Sequence, residues 1–506
     1  MVKIQIKKQH LLLLSVFVIS TCGLIYELVA GTLASYLLGD SVFQFSIIIG
    51  IYLFSMGLGS YFSQFVKNDI VLWFIKIELL IALIGGFGSV ILYLFFEKIF
   101  HFEVYLYIII SLTGILVGFE IPLLMRLLKN NFTFDELVSE IFTFDYIGAL
   151  LASILFPLVF VPYLGLMRTS LFFGEVNVLI AFWVIQTFKI EERKIKSLRP
   201  ATFVIGSMLL ITFLLSSKIQ GFADQMVHGE NILVATSSPY QRIVVSKDRN
   251  TYKLYLNGNL QFSSFDEYRY HEALVHPCMG VGASTDSVYV FGGGDGFAIR
   301  ELLKYNQLKG IVLVDLDKEV TTLFKNHPFL NRLNKQSLSS PKLRLINDDA
   351  YQWSSNSKIK ISKLIIDFPD PSTYGIGKLY SLSFYRHIYQ LLTPGGVAVI
   401  QCTSPYFAPK SFWCIDKTLK EAGFFTLPYH TYVPSFGEWG YIIASKSPIN
   451  LPNISRNIPL KFLNSEQFKG MTYFPKDMKT QEKLQVNKLN NQALVHYFES
   501  EWNRFQ

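Results

Sequence analysis

Seven apolar stretches crowd the first 217 residues of this chain, at roughly 11–38, 42–66, 70–96, 104–125, 141–163, 169–188 and 202–216. A helix needs about 20 apolar residues to cross the ~30 Å of hydrocarbon in a bilayer, and all but the short last stretch approach or exceed that length. Where water cannot satisfy the backbone, a helical bundle is the fold open to such segments. The first stretch outruns the h-region of a cleaved signal peptide and others follow it, so it reads as a span. With 51% hydrophobic and 17% charged residues over 506 positions, the chain is also too apolar for a disordered or fibrous protein.

The short loops carry the orientation signal. If the spans alternate, Lys3, Lys7, Lys8, Lys67, Arg126, Lys129 and the cluster Lys189, Arg193, Lys194, Lys196 and Arg199 share one side, against Lys98 and Arg168 on the other. The expectation is a multi-pass protein of the cell (inner) membrane with a cytoplasmic amino terminus. The net charge of +8 is read as these topology signals and general solubility, with no nucleic acid as partner. The spans also contain Glu27, Glu78, Glu120, Asp145 and Glu175, costly groups that face a bundle interior, a partner or a cavity, or reach the interface near span ends. Spacings such as Ala30 to Ala34, Gly31 to Ser35 and Gly148 to Ala152 suit close helix packing. Cys22, Cys278, Cys402 and Cys414 form neither a CxxC pair nor a zinc-ligand spacing, so scattered thiols are expected and no metal site.

From Ile232 the texture changes to short β-type runs, with Asn257-Gly258 as a hairpin turn after Tyr252 to Leu256. A helical stretch, Glu267 to His276, leads into apolar strands at 288–291, 311–314, 343–346, 364–366 and 397–401, separated by helix-length segments. This alternation predicts a doubly wound parallel sheet behind a small β-rich region, with ligands beyond the carboxyl ends of the strands.

What stands at those ends is acidic. Gly292-Gly293-Gly294-Asp295-Gly296 follows the first strand, Asp315-Leu316-Asp317 the second, Asp348-Asp349-Ala350 the third and Asp367-Phe368-Pro369-Asp370-Pro371 the fourth. One such acid is most simply a helix N-cap, but four consecutive strand ends are hard to explain by caps alone. Asp295 inside the glycine loop would repel the phosphate that such loops usually receive. The ligand that fits is a nucleoside with positive charge and no phosphate, such as a sulfonium nucleoside of the S-adenosylmethionine type.

At this point the sequence resembles the polyamine aminopropyltransferases, the spermidine synthase family, and in particular their membrane-attached bacterial branch. The resemblance runs over about 240–445 and rests on ordered motifs. They are Tyr240-Gln241-Arg242-Ile243, LNGNLQ at 256–261, DEYRYHE at 266–272, the GGGDG loop, VDLD at 314–317, DFPDPSTYG at 367–375, SPYFAPKSFWC at 404–414 and VPSFGEWGY at 433–441. The resemblance implies that decarboxylated S-adenosylmethionine is the co-substrate, its bare ammonium attracted where an intact carboxylate would be repelled. Asp295 and Gln261 would hold that amine, Asp315 the ribose hydroxyls and Asp349 the adenine amino group, with Gly292 and Ala350 also at the donor site. Asp367 would be the base, Tyr270 would orient the attacking amine, and Asp370, Gln241 and His271 would line the polyamine side. Two departures stand out: Asp315 where the family commonly has Glu, and Phe436 where many relatives have Tyr.

The expectation is thus a multi-pass α-helical membrane domain (1–217), a small β-rich region with a linking helix (218–285), and an α/β Rossmann-like domain of the S-adenosylmethionine-methyltransferase kind (286–506). The implied reaction moves an aminopropyl group to putrescine or a related amine, giving spermidine and 5'-methylthioadenosine, with no cofactor or metal. Its partners would be a polyamine, a sulfonium nucleoside, the lipid bilayer and, by resemblance, a further copy of the chain. A methyltransferase, or a polyamine transporter or sensor with a non-catalytic sheet domain, are the alternatives. Seven spans would export the carboxy-terminal half, whereas the donor nucleoside belongs in the cytosol, and a cytoplasm-facing site is favoured on that ground.

Overall fold

Helices follow one another through the amino-terminal half of the computed structural model because little but Pro122, Pro157, Pro162 and a few glycines disturbs the backbone ladder of these apolar stretches. The structure describes residues 8–38, 41–95, 102–129, 132–188, 190–228, 231–282 and 285–502, so Lys3, Lys7, Lys98 and Lys189 lie outside the described residues. Two units emerge, Met1–Val244 and Val245–Gln506.

The first unit contains α1 (Lys8–Leu38), α2 (Ser41–Ser63), α3 (Ile70–Phe95), α4 (Phe102–Leu128) and α5 (Phe134–Leu155). A π-turn at Phe156–Phe160 leads to α6 (Val161–Thr187), then come the short α7 (Glu192–Ile195) and α8 (Leu198–His228). Six helical segments are long and apolar enough to cross a membrane by length and composition. One of them, Phe134–Thr187, has 54 residues, which at 1.5 Å per residue would be about 80 Å if straight. It is not straight. Gly165 leaves helical geometry at φ 74 and ψ 174, and the Phe160 and Phe173 rings lie 5.0 Å apart, where an unbroken helix would hold them roughly 20 Å apart. The segment is a helical hairpin, so seven long helical passes run through the bundle among the described residues.

The seventh pass is longer than the apolar stretch 202–216 suggests. Near the Gly165 reversal, Arg168 donates to the Ser216 hydroxyl at 2.7 Å and to that of Ser217 at 2.5 Å, so α8 runs back along the whole length of α6. Packing between passes depends on absent side chains, most clearly between α2 and α4. A Cβ on Gly59 would stand 1.9 Å from the Ile115 carbonyl oxygen, and one on Gly118 2.1 Å from that of Met56. Of the spacings noticed in the sequence, Gly148 does the same work, its Cβ position 2.5 Å from the Phe17 carbonyl oxygen. Arg126 closes the end of α2, donating to the carbonyls of Ser63 at 2.5 Å and Val66 at 2.7 Å. The outside of the unit is apolar, with Phe54, Leu150, Leu158, Leu179, Phe203 and Leu214 exposed, while Glu78 and Glu120 are buried. That is the reverse of a water-soluble bundle.

Strands β1 (Asn231–Ser237) and β2 (Arg242–Asp248) follow, the division between units falling inside β2. In the second unit β3 (Thr251–Leu256) and β4 (Asn259–Ser263) pair antiparallel through the Asn257-Gly258 turn. Then come α9 (Glu267–Gly280), β5 (Ser287–Gly292), α10 (Phe297–Leu302), β6 (Gly310–Asp315), α11 (Lys318–Asn326), β7 (Leu343–Asn347), β8 (Ile361–Asp367), β9 (Leu392–Gln401), β10 (Phe425–Val433) and β11 (Gly437–Ser445). One seven-stranded sheet has the order β10-β11-β9-β8-β5-β6-β7. The strands expected from the sequence are its five parallel members; β5, β6, β8 and β9, each with a neighbour on both sides, are largely buried and apolar, while β7 stands at the edge, partly exposed.

The expectation of a purely parallel sheet is corrected here: β10 and β11 run antiparallel at one end. Pro428 and His430 in β10 and two glycines in β11 resemble loop sequence, and an edge strand tolerates such residues. The tail after β11 is pinned by Glu272 of α9, whose carboxylate accepts the amides of Lys461 at 2.7 Å, Phe462 at 2.9 Å and Leu463 at 3.0 Å.

Candidate active site

From β5 the chain builds β6 and β7 on one side, then returns to lay β8 on the other side of β5. Crevices form at the carboxyl ends of strands at such a reversal. There the last residue of β5, Gly292, is register partner to the last residue of β8, Asp367. The glycine loop is shaped by these neighbours. Gly292 has φ 75 and a Cβ there would meet the Asp367 carbonyl oxygen at 2.1 Å, while a Cβ on Gly294 would meet the Asp315 carboxylate at 2.8 Å. Glycine is required because the loop lies against two acids, whatever ligand it also admits.

Tyr270 on α9 donates its hydroxyl to Asp367 Oδ1 at 2.5 Å. An aromatic wall holds the phenol in place: Tyr441 at 5.5 Å, Phe436 at 6.2 Å and Trp439 at 6.5 Å between ring centroids. Desolvation in the cleft pushes the Asp367 carboxyl up to about 6, against the pull of His271 and the Tyr270 hydrogen bond. The Tyr270 phenol is pushed up by burial and then by Asp367, so it stays a donor. A carboxylate near neutrality beside a fixed hydroxyl is a proton acceptor with a set direction.

The other acids share the same environment. Asp295 accepts the Phe297 amide at 2.9 Å at the start of α10, and burial raises its carboxyl. Asp315 accepts the Asp317 amide at 2.9 Å, and burial takes its carboxyl up to about 7. Asp370 is likewise pushed by burial to about 7. It is steadied by Gln401, the last residue of β9, whose amide nitrogen lies 3.4 Å from Asp370 Oδ1 and 2.5 Å from the Phe368 carbonyl. Gln401 is oriented in turn by the Trp439 indole, donating at 3.2 Å, and by the Thr403 amide at 3.0 Å. Helix caps account for part of the acidic pattern. Asp317 caps α11, accepting the Glu319 amide at 3.0 Å, and Asp349 caps the helix Ala350–Asn356, accepting the Tyr351 amide at 2.8 Å. Asp367 and Asp370 cap nothing.

His271 is buried beside this cluster, its Nδ1 2.9 Å from Glu267 Oε2, and Arg300 holds that carboxylate at 2.9 and 2.8 Å. Burial alone would lower the imidazole, but the Glu267 hydrogen bond and charge outweigh it and the net shift is upward. A protonated His271 favours the ionised forms of Asp295 and Asp367.

Three expected residues have the following partners. The Gln261 side-chain nitrogen donates to the Asn259 carbonyl of its own strand at 3.3 Å. Asp349 faces the ammonium of Lys378 at 2.6 Å, so an adenine amino group there has a cation to displace. Gln241 belongs to the first unit, its backbone N–H donating to the Ser238 hydroxyl at 3.1 Å. Ala350 is the buried first residue of its helix. Sequence reasoning missed Lys378, Gln401, Thr403 and Trp439. Of these, only Gln401 carried a signal, since it ends a strand.

Residues 267–456 match the family described as the spermine/spermidine synthase domain. The chain is 47% identical to the polyamine aminopropyltransferase of Leptospira interrogans, over 98% of this chain and 99% of that one. It is 47% identical to polyamine aminopropyltransferase 2 of Ralstonia nicotianae, over 97% and 98%. With polyamine aminopropyltransferase 1 of Streptomyces coelicolor it shares 36% identity, over 98% and 95%.

Proposed function

The chain belongs to the polyamine aminopropyltransferases, and we propose that its site at the β5/β8 reversal moves the aminopropyl group of decarboxylated S-adenosylmethionine to putrescine or a related diamine. The observation that carries this reading is the 2.5 Å bond from Tyr270 to Asp367, with Asp367 paired in register to the glycine loop.

In this reading Asp295 attracts the donor's terminal ammonium, Asp315 the ribose hydroxyls and Asp349 the adenine amino group once Lys378 gives way. Gln261 joins Asp295 by turning its amide from Asn259, and Gly292 and Ala350 bring backbone to the nucleoside. Asp370 takes the far ammonium of the diamine, with His271 beside the acceptor. The near ammonium must lose a proton before it can attack, and Asp367, directed by Tyr270, receives it. The freed nitrogen lone pair then forms a bond to the carbon next to sulfur. The C–S bond breaks with its electron pair going to sulfur, and neutral 5'-methylthioadenosine leaves. The sulfonium is a good leaving group, so positioning and electrostatics carry the acceleration. The product amine is spermidine when putrescine is the acceptor.

The apolar exterior of the first unit supports placing it in a bilayer. Seven passes then put the chain's two ends on opposite faces. A cytoplasmic catalytic unit requires an external amino terminus, and a cytoplasmic amino terminus requires a donor supplied outside.

The test is a product assay on the detergent-purified chain with putrescine and decarboxylated S-adenosylmethionine, and intact S-adenosylmethionine as control. Spermidine and 5'-methylthioadenosine are expected from the decarboxylated donor only. Methylated amine from the intact donor would overturn the reading in favour of methyl transfer.

A further inference from the structure

Glu78 on α3 and Glu120 on α4 are 0% and 2% exposed inside the helical unit, and neither belongs to the site described above. Their carboxyls lie within hydrogen-bonding reach of one another. An ionised carboxylate only accepts, so a bond between them needs a proton that neither group supplies once both are ionised. Glu78 Oε2 already takes a hydrogen from Asn177 Nδ2 on α6 at 2.8 Å, and Asn177 Oδ1 takes one from the Tyr26 hydroxyl on α1 at 2.9 Å. Oε1 of Glu78 and Oε1 of Glu120 are buried and have no donor among the described residues.

The surroundings exclude the ordinary ways of relieving such a pair. Cys22 and Tyr26 face it from α1, Tyr52 from α2, Asp145 from α5 and Asn177 from α6, all neutral or acidic. Among the described residues no Lys, Arg or His forms an ion pair with either glutamate, and Lys76 lies instead over the Trp73 ring at 5.0 Å. Nor, among the described residues, do three His, Cys, Asp or Glu side chains converge as metal ligands would. Two carboxylates in contact cannot both ionise away from water. Beyond Tyr26 lies a cavity of about 30 Å³, bounded also by Tyr52, Ser89, Thr113 and Ser170. Its size suits one water, and the Ser89 hydroxyl, 5% exposed, has no other partner.

We propose that Glu78 and Glu120 are a proton-binding site: one exchangeable proton shared between two carboxyls, reached from the partly exposed Asp145. Asn177 and Tyr26 fix the orientation of Glu78, so that gain or loss of the proton is felt by α1, α3, α4 and α6 together. The ligand is the proton because, among the described residues, no cation and no third metal-ligating side chain meets the pair, and two neighbouring carboxylates cannot both ionise away from water.

The experiment is infrared spectroscopy of the full-length protein in lipid nanodiscs, in H2O and D2O at neutral pH, for wild type, Glu78→Gln and Glu120→Gln. A protonated-carboxyl component that shifts in D2O is expected in each wild-type-minus-variant difference spectrum, where carboxyls elsewhere in the chain cancel, while aminopropyl transfer, read on the same samples, continues unchanged. Absence of that component from either difference spectrum overturns the proposal. So does its disappearance on adding putrescine, which would make the pair an amine site. Glu120→Asp retains a carboxyl and guards against a variant that does not fold. Its band should move, and an unmoved band would place the proton elsewhere.

Discussion

Asp367 sits at a strand end where the backbone of Gly292 and the phenol of Tyr270 meet. Its removal should be felt in turnover more than in donor binding. Asp367→Asn is expected to lower kcat by about 10²- to 10⁴-fold, the usual worth of a positioned base, with donor affinity by calorimetry nearly unchanged. Tyr270→Phe removes one charge-assisted hydrogen bond, worth about 1.5–3 kcal/mol, and should cost about 10- to 100-fold. Because the folded Asp367 carboxyl is raised to about 6, its base form predominates above that pH and is lost below it, so kcat/KM should fall as pH drops through about 6. A rate still flat a full unit below would count against Asp367 as base. Asp315 and Asp370, raised to about 7, are partly protonated in the empty site at neutral pH. A cationic ligand favours their ionised forms, so binding should release protons, visible as a buffer-dependent heat. The same shifts bear on stability. Carboxyls raised above their unfolded value of 3.8 bind more protons folded than unfolded, so their contribution declines as pH rises from about 4 to about 7. Asp315→Asn should therefore raise the Tm of the second unit at pH 8 and reduce donor affinity together.

At the scale of elements, the turns and crossings are held by positions where a side chain cannot fit. Gly292→Ala would place a methyl on the Asp367 carbonyl at a positive φ, a strain of about 1–3 kcal/mol that should appear as a lower unfolding midpoint of the second unit. Gly118→Leu would force α4 away from α2, and the expected readout is loss of monodisperse protein after detergent extraction. The glycines of the catalytic loop announce themselves as a run, whereas Gly59 and Gly118 look like any other glycine in an apolar helix. Only the approach of a second helix gives them meaning. Similarly, the central parallel strands were legible because burial makes them largely apolar. β10, at one edge and interrupted by a proline, was not.

For the molecule as a whole, the hairpin at Gly165 makes the number of long helices in the first unit odd among the described residues, so if each crosses a bilayer, reporters fused before α1 and after α8 should give opposite signals. Matching signals would remove one pass from the membrane. The glycine loop, Asp315 and Asp367 stand in linear order at strand ends because the backbone alternation dictates where those ends fall. The apolar runs likewise determined a helical bundle and an α/β unit, since length and hydrophobicity act locally. What tertiary structure alone decided depends on distance between residues remote in sequence. Lys378 stands on Asp349, Gln401 and Trp439 steady Asp370, and Glu78 meets Glu120 across two helices. No local pattern encodes such pairings, because each is fixed by how whole helices and strands pack, and a carboxyl's behaviour is set by what surrounds it rather than by its place in the chain.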